Sequence, residues 1–134
     1  MKITVKSDLK PEAQEMPRRR NALLSSVKRM VRSVSFELER NVKNEMPVDT
    51  GRARASWGHW TPGDLRGPSD ARASDAVWKE TDDGLTIEQG SNVEYIAGLN
   101  DGSSKQAPRG FLDVLEERAV DLLDARVDDI MRSW

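Results

Sequence analysis

The chain has 134 residues, of which 37% are hydrophobic and 33% charged, and its formal net charge is −2. This length suits one domain with a modest core, and the polar balance fits a subunit that neighbouring molecules complete. Because it has no cysteine, the chain forms neither a disulfide nor a thiolate metal site. We expect no signal peptide and no membrane span, since there is no run of about 20 apolar residues.

Charge is distributed unevenly along the chain. Residues 1–54 hold thirteen basic and seven acidic side chains, whereas residues 111–134 hold three basic and seven acidic ones. A dipolar chain of this kind can orient itself in a ring, with one face toward an acidic partner or DNA. Solvated helix faces that differ in sign by chance are the alternative.

The N-terminal part predicts a short strand followed by a long helix. In residues 1–6, Ile3 and Val5 alternate with polar residues, which is the pattern of a half-buried edge strand. A helix is expected from near Pro17 to about Asn44, because apolar residues recur at three- and four-residue steps. These residues are Leu23, Val27, Met30, Val31, Val34, Leu38 and Val42.

A corner is predicted after this helix. Pro47 should end it, because the residue before a proline avoids the helical conformation. Asp49 or Thr50 is expected to cap a short helical turn through Arg54. Residues 56–60 are predicted as a strand, although they do not alternate cleanly, and residues 61–75 as a flexible insertion loop rich in Pro, Gly, Ser and Asp.

The C-terminal part predicts a β-hairpin, a short helix and a long helix. Residues 76–80 and 85–89 flank a Thr-Asp-Asp-Gly turn, and a Ser-x-x-Glu capping box predicts a helix over about 92–99. Residues 100–106 are predicted as a polar loop, and Pro108 as part of the first turn of the last helix. The expected buried face of the hairpin is Trp78, Leu85 and Ile87, and the apolar stripe of the last helix is Phe111, Leu115, Ala119, Leu122, Leu123, Val127, Ile130 and Trp134.

These elements together predict a single α+β domain over residues 1–134. In this fold a small, mostly antiparallel sheet packs against the long N-terminal helix and the C-terminal helix. The predicted insertion at residues 61–75 interrupts the domain without starting a second one.

The residues that carry chemistry are few, and we predict no catalytic, cofactor or metal site. His59 is the only histidine, and neighbouring carboxylates in the sequence point to different faces of a helix or strand. Neither a Gly-x-Ser-x-Gly nucleophile motif nor a glycine-rich phosphate loop is present. A catalytic triad that combines His59 with Ser56 or Ser91 remains an alternative at this point.

A run of three arginines, Arg18, Arg19 and Arg20, is the candidate DNA-proximal surface. Arginines contact phosphates and so bind DNA without reading its sequence. A solvated helix face is the alternative explanation for this run.

Two stretches of the chain resemble the tail-component family of tailed bacteriophages, whose members are neck or tail-completion proteins. One is Pro47-Val48-Asp49-Thr50-Gly51-Arg52 followed by Ser56, and the other contains Tyr95, Gly102, Ser104-Lys105-Gln106-Ala107-Pro108 and Phe111. The order of these motifs follows the family from about residue 20 to the end. Two departures are Asn100 and Asp101, where many members have an acidic residue and an aromatic, and the insertion at 61–75.

The resemblance implies a non-enzymatic virion protein that forms part of a ring at the head–tail junction and is assembled in the host cytoplasm. Tyr95 and Phe111 would anchor the short and terminal helices. The implied fold and assembly motif is Pro47, Asp49, Thr50, Gly51, Tyr95, Gly102, Pro108 and Phe111. The candidate interface residues are Asn100, Ser103, Lys105, Gln106 and Arg109.

The implied partners are further copies of the chain, head-side connector or portal-associated proteins, and tail-tube or tail-terminator proteins. Non-specific contact with DNA in the channel is also implied, and no contact with a membrane. A tail terminator that caps the tail tube and a nucleic-acid-binding accessory protein are the alternative functions. We expect the isolated protein to be monomeric or weakly associated and to form its ring only on a partner template.

Overall fold

The computed structural model of the protein describes residues 1–7, 17–46, 52–61, 72–103 and 108–133. These ranges contain an antiparallel sheet and separate helices, which confirms the predicted α+β class. That residues 1–134 form a single domain stays a prediction. The elements are β1 (Lys2–Lys6), α1 (Pro17–Glu45), α2 (Arg52–Ala55), β2 (Ala76–Thr81), β3 (Thr86–Ser91), α3 (Ile96–Asn100) and α4 (Phe111–Arg132).

The three strands form an antiparallel sheet in the order β1-β3-β2. β1 is therefore an edge strand, as its alternating pattern predicts. Gln89 lies at the centre of the sheet, opposite Ile3 on one side and Trp78 on the other. Residues directly opposite each other point to the same face, so one face of the sheet carries the core side chains. They include Ile3, Val5, Ile87 and Gln89, which are all buried.

Helix α1 lies on this face of the sheet and supplies more of the buried core residues than any other element. Its apolar stripe is buried as predicted, with Met30 only partly so. Ser35 is also fully buried, which the apolar periodicity does not predict. The helix ends at Glu45, one residue beyond the predicted end, and Met46 then packs into the core.

Helix α4 packs against α1. Its predicted stripe faces the core, and Leu112 joins it with no exposed surface. At the edge of this contact, the Arg126 guanidinium lies 3.4 Å from the Glu37 carboxylate and donates to the Ser33 hydroxyl at 3.2 Å. Trp134 lies outside the described residues.

The hairpin is confirmed, and its turn has the backbone angles that the sequence suggests. Asp82, Asp83 and Gly84 adopt φ of 54°, 55° and 88°, in the left-handed region that Asp and Gly tolerate best. The Thr86 hydroxyl donates to the Asp82 carboxylate at 2.8 Å across this turn. Ile87 is buried, while Trp78 and Leu85 pack against the edge of the core.

The strand predicted at residues 56–60 is wrong, because this segment is a turn. Gly58 has φ 62°, a conformation incompatible with a strand. Its N–H donates to the Gly90 carbonyl at 2.9 Å, and Trp57 inserts fully into the core. Of the predicted loop at 61–75, residues 73–75 form a single 3-10 turn and residues 62–71 lie outside the described part.

The predicted capping box at residues 91–94 is also wrong. Ser91 ends β3, and its hydroxyl accepts from the Val93 N–H at 3.0 Å, two residues on. The short helix begins only at Ile96. Because the helix starts five residues after Ser91, this hydroxyl–amide bond closes a local turn and does not cap the helix.

Candidate assembly surfaces

The turn at residues 56–61 is fastened to α1 by two side chains of that helix. The Glu39 carboxylate accepts from the His59 N–H at 2.7 Å and lies 2.7 Å from its Nδ1. Lys43 donates to the His59 carbonyl at 2.6 Å and to the Thr61 hydroxyl at 3.2 Å. This corner after the long helix is therefore held in place at several points. Pro47, Asp49, Thr50 and Gly51, which were predicted to shape it, lie outside the described residues.

A buried polar chain links this corner to the sheet and to α1. The Trp57 indole N–H donates to Gln89 Oε1 at 2.9 Å, and Gln89 Nε2 donates to the Ser35 carbonyl at 2.8 Å. All three residues have no exposed surface. Buried polar groups with matched partners favour one specific packing arrangement. Because its members are distant in the chain, sequence patterns do not predict this network.

The structure also shows where the residues of the possible catalytic triad lie. Ser56 and Ser91 are fully buried, and the Ser91 hydroxyl donates to that of Ser56 at 3.3 Å, which in turn donates to the Arg52 carbonyl. His59 faces Glu39 on the surface instead. The described contacts therefore give neither serine a base. Among the described residues, no group of three or more His, Asp or Glu side chains is placed to hold a metal ion.

An aromatic patch lies on the surface beside this corner, formed by Phe36, His59 and Trp78. The Phe36 ring stacks on Trp78 and His59, with centroids 5.0 and 5.7 Å away, and His59 and Trp78 are 4.3 Å apart. Phe36 is still 46% exposed. Exposed aromatic side chains are enriched at protein interfaces, so this patch is a candidate docking surface. The sequence signal for it is a phenylalanine on the otherwise polar face of α1.

The junction between α3 and α4 depends on Asn100. Its side-chain oxygen accepts from the Leu112 N–H at 2.9 Å, and its amide donates to Asp113 at 3.2 Å. Gly110, at the start of α4, has no side chain with which to cap the helix. Asn100 satisfies one of the free amides of this helix end from a distant position.

Asn100 is therefore the last residue of α3 and is buried, rather than part of the predicted surface loop. Helix α4 starts at Phe111, not at Pro108 as predicted, because the chain turns there. The Phe111 N–H donates to the Pro108 carbonyl at 3.2 Å, and Gly110 has φ 76°. Such a left-handed residue cannot continue a right-handed helix.

The other motif and interface residues of this region are distributed between core and surface. Phe111 is buried in the core, whereas Tyr95, its expected partner in anchoring the helices, is 39% exposed. The Arg52 guanidinium lies 5.8 Å from the centre of the Tyr95 ring, within range of a cation–π contact. Tyr95 is thus a surface residue and not a core anchor.

Ser103 and Arg109 are exposed. Gly102 has φ 93°, and a Cβ at this position would approach the Arg109 side chain. The glycine therefore allows the two ends of this loop to lie close together. Lys105 and Gln106 fall outside the described residues, and the interface role of the whole set stays a prediction.

Arg18, Arg19 and Arg20 lie exposed in the first turns of α1. Their placement is compatible with DNA contact and with a solvated helix face alike. Over the described ranges, no helix combines the length and apolar character that crossing a bilayer requires.

The comparisons with known proteins agree with these observations. A family model described as "Bacteriophage HK97-gp10, putative tail-component" matches residues 7–102. This range contains the corner motif at residues 47–52 as well as Tyr95 and Gly102, and it ends before Pro108. No match was found among curated proteins or solved structures. Since the match spans more than half of the chain, the protein belongs to the HK97 gp10-like family of bacteriophage tail components.

Proposed function

We propose that this protein is a non-enzymatic structural component of a phage virion and forms part of a ring at the head–tail junction. The family match over residues 7–102 carries the proposal, because it assigns the chain to phage tail components. A neck or tail-completion role is the finer assignment that we infer.

The geometry supports a part that presents fixed surfaces to neighbours. The corner at residues 56–61 is held to α1 by Glu39 and Lys43 and to the sheet by the Trp57–Gln89 hydrogen bond. Residues held in this way lose little conformational freedom when a partner binds, which favours association. The exposed aromatic patch lies directly beside this rigid corner.

The sheet adds further surface for neighbouring proteins. Among the described strands, β1 and β2 each pair only with β3, so each has one edge that a neighbouring chain can extend. The face of the sheet opposite α1 is polar and includes the exposed Lys6 and Lys79. Head-side connector proteins and tail proteins are the partners that we assign to these surfaces of the sheet. Copies of the chain complete the ring elsewhere on the molecule, with DNA contact in the channel as a minor, non-specific component.

A phage that carries an early stop codon in this gene tests the proposal. Electron microscopy of the lysate should show DNA-filled heads beside finished but unattached tails. Wild-type protein supplied in trans should restore joined particles, which is the control for effects of the mutation on other genes. Overlong tail tubes would instead assign a tail-terminator role, and normal infectious particles would refute a structural role.

The state of the purified protein provides a second test. We propose that it is monomeric or weakly associated and completes its ring only on a partner template, because its loops are short and polar and its apolar fraction is modest. Light scattering at micromolar concentration should therefore report a mass near that of one chain. A stable ring under these conditions would contradict this part of the proposal.

A further inference from the structure

The solvent-facing side of α4 carries an acidic ridge. The ridge consists of Glu117, Asp121, Asp124 and Asp128, which follow one another at steps of four, three and four residues and are all exposed. Such steps place side chains on one face of a helix, where like charges repel each other. Within the described structure none of the four forms an ion pair. The helix therefore bears a row of like charges that no ion pair of the described chain neutralises.

The solvent-facing side of α1 carries the opposite charge. This basic ridge consists of Arg18, Arg29 and Arg40, with Phe36 between the last two, and all four are exposed. Arg29 bonds only the hydroxyl of a neighbouring serine in the same helix, and the other two arginines have no acidic partner among the described residues.

The acids in this part of α1 are directed elsewhere. Glu37 pairs with Arg126 of α4, and Glu39 holds His59. The ridge is therefore positive along its exposed length, with no acid of its own helix to neutralise it.

The acidic ridge matches the part of the basic ridge from Arg29 to Arg40 in length and in the order of its side chains. Arg29 and Arg40 are eleven residues apart, as are Glu117 and Asp128, so each pair spans ~16 Å along its helix. Each ridge also has an exposed apolar side chain between its charged ends. These are Phe36, which is 46% exposed, and Val120, which is 42% exposed.

The ridges cannot meet within one copy of the chain. α1 and α4 pack on each other through their apolar stripes, and each ridge lies on the other side of its helix from that stripe. A contact between different patches on two copies is heterologous, and repeating it closes a ring when the rotation permits. Aromatic and arginine side chains, as on the α1 ridge, are the residue types enriched at such contacts.

We propose that the basic ridge of α1 binds the acidic ridge of α4 on the next copy of the chain, head to tail. The inference rests on the proposed ring function and names the surfaces through which its subunits meet. A second copy is favoured over DNA as the occupant of the basic ridge because the same chain carries an acidic ridge as long as the part of the basic one from Arg29 to Arg40. An attraction of this kind weakens as salt shortens the range of charge interactions.

Charge reversal on each ridge tests the proposal. One variant is Arg29→Glu with Arg40→Glu, and the other combines Glu117→Lys, Asp121→Lys, Asp124→Lys and Asp128→Lys. Neither should self-associate, since both ridges of each variant then carry the same sign. The equimolar mixture should associate, because every contact in an alternating assembly again pairs opposite charges.

Sedimentation velocity at high protein concentration and about 10 mM salt, where the Debye length is ~30 Å, is the measurement. The mixture should associate at least as strongly as wild-type protein, and each variant alone at least about tenfold more weakly. A mixture that stays monomeric, or a variant that associates like wild type, overturns the proposal. The matched control is Lys6→Glu with Lys79→Glu, which makes the same charge change as the Arg29 and Arg40 variant, on the polar face of the sheet, and should leave self-association unchanged.

Complementation of the stop-codon phage gives an independent readout. Each charge-reversed variant should fail to restore plaques, and a chain that carries all six reversals should restore them. Failure of this combined chain, with all variants shown to be folded by circular dichroism, refutes the ridge contact while the joining role stands. Normal particles from the stop codon alone would refute the joining role instead.

DNA is the competing occupant, and a 30-base-pair duplex serves as its probe. If reversal at Arg29 and Arg40 abolishes duplex binding while self-association is unchanged, the basic ridge is a DNA surface and the proposal is wrong.

Discussion

Replacing Gln89 by methionine tests whether the buried polar chain stabilises the fold. Methionine has nearly the same length and shape as glutamine but neither donates nor accepts a strong hydrogen bond. The substitution removes the bond from the Trp57 indole at 2.9 Å and the bond to the Ser35 carbonyl at 2.8 Å. Because all three residues are fully buried, water cannot replace either partner.

The loss of the indole partner should dominate the effect. A buried donor left without an acceptor costs ~1–3 kcal/mol. The Ser35 carbonyl lies inside α1 and keeps a helical partner there, so the second bond should contribute only ~0.5–1.5 kcal/mol. We therefore expect Gln89→Met to lower the free energy of unfolding by about 2–3 kcal/mol and the Tm by about 8 °C.

A double-mutant cycle with Trp57→Phe isolates the interaction. Chemical unfolding of the wild type, both single variants and the double variant should show that the double variant loses ~1–2 kcal/mol less than the sum of the singles. Lys79→Met, at an exposed position of β2, is the control and should change stability by less than ~0.5 kcal/mol. Additive losses, or a Gln89→Met variant as stable as wild type, would refute the reasoning.

Three further substitutions test the contacts that hold β1 in the sheet and fix the start of α4. Asn100→Ala should cost ~1–2 kcal/mol in urea unfolding, because the Leu112 N–H loses its cap. Gly90→Ala should weaken the pairing of β1 with β3, since the new Cβ would overlap the backbone of Met1 and Lys2. Hydrogen exchange should then show faster exchange of β1 amides, and unchanged protection would contradict this. Gly110→Ala should cost ~1–2 kcal/mol because its φ of 76° is unfavourable for residues with a Cβ; an equally stable variant would show that α4 starts differently.

The regular elements could be predicted from the sequence because their signals are local. The three- and four-residue spacing of apolar side chains predicts α1 and α4, and the Thr-Asp-Asp-Gly turn predicts the hairpin. The same local reasoning was wrong at Ser91 and Pro108. Each has the residue type that favours a helix start, but at both points the chain makes a turn before the next helix begins.

The sequence by itself thus determined the α+β class and, through its motifs, the phage tail-component family. Only the tertiary structure decided that Asn100 caps α4, that Trp57 reaches Gln89, and that Phe36 lies on an exposed aromatic patch. Trp57 and Gln89 are 32 residues apart and Gln89 and Ser35 are 54 apart, so no local pattern indicates their contact. A buried polar group requires a partner wherever the fold brings one within reach, and that choice is made only when helices and sheet pack together.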